Sequence, residues 1–238
     1  MQNPFMQSWI VLFGGANREG VIDAMIDSNI HVEAIVIPKR KAQELEPSLD
    51  RIKSLGLTVV GVEKDDLDAT LARYQGTALL SIGFPYLLQE KTLARYDLAL
   101  NIHPTLLPNY KGATSGAYII MNDERRSGSS VHFIDKEMDA GDIISQSEIQ
   151  LTRFDTVRSM QNKVYRTEPL LLIQALQKLS RGEPAVQQYG RDEHIYPRRY
   201  PKDSVIDPNK SLLEVFNEIR ACDPEKYPAH FWLEGDKV

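Results

Sequence analysis

The segment Leu98-Ala-Leu-Asn101-Ile-His103-Pro-Thr-Leu-Leu-Pro108-Asn-Tyr110-Lys-Gly112 decides how this chain is read. Leu98–Ile102 has the apolar character of a strand. Residues two apart on a strand share a face, so Asn101 and His103 point to the same side of a sheet. Pro104, Leu106-Leu107-Pro108 and Gly112 are turn formers and anchors that hold both side chains at the strand end. Further on, Ser129–Ile134 and Ile143–Ile149 read as strands flanking a turn with Asp139-Ala-Gly141. Gly141 is expected to let that turn swing the Asp139 carboxylate toward His103, with Asp135 and Asp142 as competitors. Each residue also has a plain reading: Asn101 as a strand stop, His103 as a satisfied polar group, Asp139 as a turn residue. Together, amide donor, titratable ring and carboxylate suit the transfer of an acyl group to an amine. His132, inside an apolar run, reads as a packed strand residue.

Toward the N-terminus, apolar runs at Ser8–Phe13, His31–Ile37, Thr58–Val62 and Ala78–Ile82 alternate with helical spacing at Val21–Asp27, Lys41–Leu55 and Asp66–Tyr74. Pro47 is expected to start the second helix proper. This alternation predicts an α/β fold: a Rossmann-like, mostly parallel sheet with helices on both faces. Ligands in such sheets bind beyond the carboxyl ends of the strands, where Gly14–Gly20, Gly83–Tyr86 and Asn101–His103 all fall. The loop with Gly14, Gly15 and Asn17 is either a glycine turn before a helix or a contact to a phosphate or sugar. Nicotinamide binding is not expected, because the second strand ends Ile-Pro38-Lys39-Arg40 without an acid for a ribose hydroxyl. Beyond Asp139, Thr156–Leu179 reads as a long amphipathic helix that kinks or restarts at Pro169. Gly182-Glu-Pro184 is a linker signal. The expected organisation is a catalytic domain over 1–185 and a C-terminal extension over 186–238, with a further helix at Ser211–Ala221.

The 238 residues are 42% hydrophobic, enough for one large domain with an appendage. A net charge of -5 carries no global nucleic-acid footprint. The single cysteine leaves no internal disulfide or four-thiolate zinc site, so no metal is expected, and it fits a reducing cytoplasm. No apolar stretch approaches the roughly 18 residues needed to span a bilayer, and no secretory leader is expected.

The motif from Asn101 to Gly112, joined to Asp139-Ala-Gly141-Asp142-Ile-Ile-Ser-Gln146, resembles the N10-formyltetrahydrofolate-dependent formyltransferases. The family usually has Ser where this chain has Thr105, and many members have Arg where it has Lys111. The resemblance implies that Asn101 donates to the formyl oxygen, that His103 assists it, and that Asp139 holds the His103 tautomer and helps take the amine proton. It implies a folate donor beside Ser81, Gly83, Phe84, Pro85, Tyr86 and Leu87 and beside Asp135, Gly141 and Asp142. Gly14, Gly15, Asn17, Tyr110, Lys111, Gly112 and Arg198 are the expected acceptor contacts.

Of the family's branches, those acting on glycinamide ribonucleotide usually end soon after the last core helix, and those acting on methionyl-tRNA add a full C-terminal barrel. Val186–Val238 fits neither. Its Arg198-Arg199-Tyr-Pro201-Lys-Asp203 element resembles the short tail of the sugar-nucleotide N-formyltransferases. The expectation is a cytoplasmic homodimer that formylates a nucleotide-linked 3- or 4-amino-deoxy sugar, with neither nucleic acid nor membrane as partner. Methionyl-tRNA or glycinamide ribonucleotide formyl transfer, formyltetrahydrofolate hydrolysis, and a catalytically dead binding homologue are the alternatives.

Overall fold

Trp9 to Phe13 are all buried, and the two-residue period of a strand sends them to opposite faces. Trp9, Val11 and Phe13 join a core with Val21, Ile22 and Met25, while Ile10 and Leu12 pack with Leu67 and Leu71. A strand covered on both sides requires helices on both faces of its sheet. The computed structural model of the protein describes residues 2–189 and 195–238, and its architecture meets that requirement.

The elements run β1 (Ser8–Phe13), α1 (Gly20–Asp27), β2 (His31–Pro38), α2 (Ala42–Ser54), β3 (Val59–Val62), α3 (Leu67–Leu71), β4 (Ala78–Ile82) and α4 (Glu90–Leu93). They continue with β5 (Leu98–His103), α5 (Ser115–Met121), β6 (Arg126–Phe133), β7 (Ile143–Gln150), α6 (Val157–Ser180), α7 (Leu212–Arg220), β8 (Trp232–Leu233) and β9 (Asp236–Lys237). The main sheet has the order β3-β2-β1-β4-β5-β6-β7. Strands β1 to β5 are parallel, and β6 and β7 are antiparallel. The chain order reverses between β1 and β4, which opens a crevice at their carboxyl ends. Residues of α1, α2 and α6 build the larger core against one face, and α3 covers the other.

Several local expectations give way to packing. Helix α2 begins at Ala42, ahead of Pro47, because Leu45, Leu49 and Ile52 form one buried stripe across the proline. Helix α6 runs unbroken through Pro169. Its capping box, with Thr156 Oγ1 accepting from Ser159 N and Ser159 Oγ accepting from Thr156 N, starts it firmly. Its contacts with α1, β6 and β7 offset a proline cost of about 3 kcal/mol. Strand β6 starts at Arg126, before the expected Ser129. The loop 134–142 joins it to β7, and a connection shorter than a crossover of about a dozen residues suits antiparallel pairing.

The C-terminal extension lies against this body. Ile143 and Val186 exchange backbone hydrogen bonds of 2.8 and 2.7 Å. The buried Arg220 at the end of α7 donates to the Asp155 and Ile120 carbonyls and to Asp123 Oδ1. Residues 190–194 of the extension lie outside the described residues. No helix among the described residues is long and apolar enough to cross a membrane.

Candidate active site

A cleft of 1340 Å³ opens over the carboxyl ends of β1, β4 and β5. Leu98, Leu100 and Ile102 face the core below, so Asn101 and His103 fall on the other face of β5. The antiparallel register sets Asn101 opposite His132 on β6. Asn101 Nδ2 lies 3.0 Å from His132 Nε2. Asp139 completes the group: its Oδ1 is 3.5 Å from His103 Nδ1 and 3.8 Å from His132 Nε2. Its Oδ2 accepts from the Gly112 amide at 3.0 Å.

Backbone geometry delivers the carboxylate, but not through the residue expected. Asp139 itself takes the left-handed conformation, with φ 53°, which Asp tolerates better than most residues. Gly141 does not take a positive φ; its part is steric, because a Cβ there would lie 2.0 Å from the Phe133 carbonyl oxygen.

Two carbonyls set the ring protons. The Phe133 carbonyl can only accept, so His132 donates to it from Nδ1 at 2.7 Å. Burial pushes the His132 imidazole down to about 4, against the pull of Asp139, so the ring is neutral at pH 7. Its Nε2 is then an acceptor, and the Asn101 amide donates to it. His103 donates from Nε2 to the Tyr110 carbonyl at 3.0 Å, which leaves Nδ1 facing Asp139.

An ion pair braces the strand end from the core side. Arg18 donates to Glu168 Oε2 at 2.6 Å and to Oε1 at 2.8 Å, and both residues are buried. Arg18 also donates to the Ile102 carbonyl at 3.0 Å. The Ser129 hydroxyl lies 2.9 Å from the His103 carbonyl and 2.8 Å from Glu168 Oε1, sharing its proton between them. The backbone between Asn101 and His103 is thereby held at two consecutive carbonyls.

Fifteen expected site residues line the cleft: Asn101, His103, Asp139, Ser81, Gly83, Phe84, Pro85, Tyr86, Leu87, Asp135, Gly14, Gly15, Asn17, Gly112 and Arg198. Four do not. The Tyr110 side chain turns away, stacks on Tyr196 at 5.0 Å and donates to Glu124, so only its carbonyl serves the site. Lys111 is drawn off by its backbone bridge to the extension, where its carbonyl accepts from Tyr196 N at 3.0 Å. Gly141 packs beneath Phe133, and Asp142 is exposed at the foot of β7, its carbonyl bound to the Phe133 amide. Of the two arginines, Arg199 ties the extension to α5 through Thr114 Oγ1 and Met121, whereas Arg198 touches the Tyr200 ring.

A formyl transferase model matches residues 9–176. The chain belongs to the formyl transferase family. A methionyl-tRNA formyltransferase of Lactococcus lactis is 32% identical over 91% of this chain and 71% of its own length. A GDP-perosamine N-formyltransferase of Brucella melitensis is 26% identical over 93% of this chain and 87% of its own. Among solved structures, a 4-N formyltransferase from Francisella tularensis superposes with a TM-score of 0.78 at 20% identity, covering 98% of this chain and 96% of that one. This formyl transferase is therefore an N-formyltransferase with the fold of that group.

Sequence reasoning missed three residues of the candidate site. His132 was legible in principle, because a β6 antiparallel to β5 sets it beside Asn101. Glu168 carried a signal: it falls on the apolar face of α6 between Val164 and Leu171, where an acid needs a buried partner. Nothing local pointed to Arg18 as that partner.

Proposed function

We propose that this formyl transferase moves the formyl group of N10-formyltetrahydrofolate to the amino group of a nucleotide-linked 3- or 4-amino-deoxy sugar, with Asn101, His103 and Asp139 as catalytic residues. The observation that carries the reading is the convergence of Asn101, His103, His132 and Asp139 in a cleft of 1340 Å³. Single-ligand sites occupy about 300–1,000 Å³, so this cleft has room for donor and acceptor side by side.

The residues present fit the donor. Phe84 and Tyr86, edge to face at 5.3 Å, stand with Leu87 and Ile134 as apolar surface for a pterin ring beside Ser81, Gly83 and Asp135. The donor supplies the activated one-carbon unit, and the chain supplies the rest. With one Asn101 N–H held by His132, the other would donate to the acyl oxygen as it gathers charge in the cleft that Asn101 lines. One such donor contributes about two to three powers of ten in rate. The His103 Nδ1–Asp139 pair takes the proton that the attacking amine sheds. The Tyr110 carbonyl, rather than Asp139, sets the His103 tautomer, and the Gly112 amide steadies Asp139.

The acceptor assignment rests on the cleft wall and on charge. The extension walls the cleft with Arg198 and Lys226. The net charge of -5 opposes a polyanion as large as tRNA. The test is incubation with N10-formyltetrahydrofolate and nucleotide-linked 3-amino and 4-amino sugars, methionyl-tRNA and glycinamide ribonucleotide, read by mass spectrometry. Gain of one formyl group on an amino sugar is expected. Transfer only to methionyl-tRNA or glycinamide ribonucleotide, or formate release without an acceptor, overturns the reading.

The same reading includes a cytoplasmic homodimer joined through the extension, where Leu212, Leu213 and Trp232 stand exposed. A monomer by light scattering at micromolar concentration overturns that part.

A further inference from the structure

Three cations from distant parts of the chain meet at the outer end of the cleft. Lys41 precedes α2, Arg198 comes from the extension, and Lys226 follows α7; all three line the cleft with Glu44. Lys226 Nζ binds Glu44 Oε1 at 2.6 Å, and Lys41 Nζ stands 3.9 Å from the same oxygen. Lys41 also donates to the Gly14 carbonyl at 2.6 Å. One carboxylate thus pairs with two of the cations, and Arg198 lines the same cleft close enough for its charge to act on both Lys41 and Glu44. Burial and the charges of Lys226, Arg198 and Arg40 lower the Lys41 ammonium from its ordinary value, against the pull of Glu44. Despite burial, the Lys226 hydrogen bond and the charges of Lys41 and Arg198 hold the Glu44 carboxyl down. Other nearby acids are already engaged: Asp223 and Glu225 hold Arg158, and Glu19 accepts from Ser48.

We infer that Lys41, Lys226 and Arg198 form the binding site for the diphosphate of a nucleoside diphosphate. Like charges gather at a cost unless an anion joins them. An ammonium has three donors, and each lysine here has protons beyond those its protein partners take. The position suits the chemistry. Gly14 directly follows β1, and β4 alone separates β1 from the strand that bears Asn101 and His103. Two strand spacings are about 10 Å, the order of a sugar ring plus a phosphate. A ligand anchored at Lys41 through its diphosphate would lay its sugar toward His103. Arg158, locked between two acids, is not part of the site.

This inference rests on the nucleotide-sugar reading, and the experiment separates the two. Calorimetry would measure binding of dTDP, UDP, GDP and inorganic pyrophosphate to the wild-type chain and to Lys41→Met, Lys226→Ala and Arg198→Ala. Arg126→Ala, at the start of β6 and paired with Glu148 outside the cleft, is the control. Circular dichroism checks that every variant folds. At least one nucleoside diphosphate is expected to bind, each cleft substitution to weaken it about tenfold or more, and Arg126→Ala to leave it unchanged. Unchanged affinity in all three cleft variants, no binding of any probe, or displacement of the probes by tRNA alone overturns the site. Diphosphate binding with no formyl transfer to any amino sugar upholds the site and overturns the acceptor. Formyl transfer to an amino sugar with unaltered KM in the three variants does the reverse.

Discussion

Two ionic clusters serve the same cleft and are built on opposite terms. Beneath β5, the Arg18 and Glu168 side chains are 2% and 0% exposed, and their hydrogen bonds go to each other, Ser129 and the Ile102 carbonyl. At the outer end, Lys41 and Lys226 are 23% and 49% exposed and share Glu44 with Arg198 close by. A buried charge without its partner carries a desolvation penalty of several kcal/mol, so the inner cluster is matched one to one. Water shields the outer cluster, which can therefore hold positive charge in excess. Matching marks a brace for the strand that bears Asn101 and His103; imbalance is what the proposed anion site requires.

The sharpest way to break this comparison is to remove one partner of the inner pair. Glu168→Ala is expected to cost about 3–5 kcal/mol, measured by urea unfolding, because Arg18 then remains buried without its carboxylate. A loss below about 1 kcal/mol would erase the distinction between the clusters. Next in size come the proposed catalytic residues. Asn101→Ala and His103→Ala are each expected to lower formyl transfer by about two to three powers of ten with the fold intact by circular dichroism. Activity within about tenfold of wild type refutes their assignment.

The neutral His132 gives a test in pH. Its folded value, about 4, lies below the ordinary 6.5, so the unfolded chain binds the proton more readily between those values. Stability is therefore full above pH 6.5 and is lost progressively as pH falls from there through about 4. His132→Gln should flatten acid unfolding over that window, and an unaltered slope contradicts a neutral buried ring. Asp155 acts lower on the scale. Despite burial, which opposes it, hydrogen bonds from Lys163, Thr152 and Ser159 hold its carboxyl well below the usual range, so its contribution disappears only in stronger acid. The smallest effect belongs to the outer cluster. Lys226→Ala should change stability by less than about 1 kcal/mol, because an exposed pair is worth little to the fold. A large loss would make Lys226 a second brace.

Much of the site was legible because it is local. Asn101 and His103 share a face by strand period alone, and the turn residues after them announce a fixed strand end. The Gly83–Leu87 wall follows β4 for the same reason. Tyr110, Lys111, Gly141 and Asp142 were misplaced because adjacency in sequence does not say which way a turn aims its side chains. Pro47 and Pro169 misled because local propensity lost to apolar stripes that continue across both prolines.

The order of apolar runs and the strand period determined the doubly covered sheet, the crevice at its carboxyl edge and the pair Asn101–His103 within it. Only the tertiary structure decided that His132 faces Asn101, that Arg18 meets Glu168, and that Lys41, Arg198 and Lys226 converge. The physical reason is range: periodicity acts between neighbours along the chain, whereas partners for buried or gathered charges are chosen by how sheet, helix and extension fold onto one another.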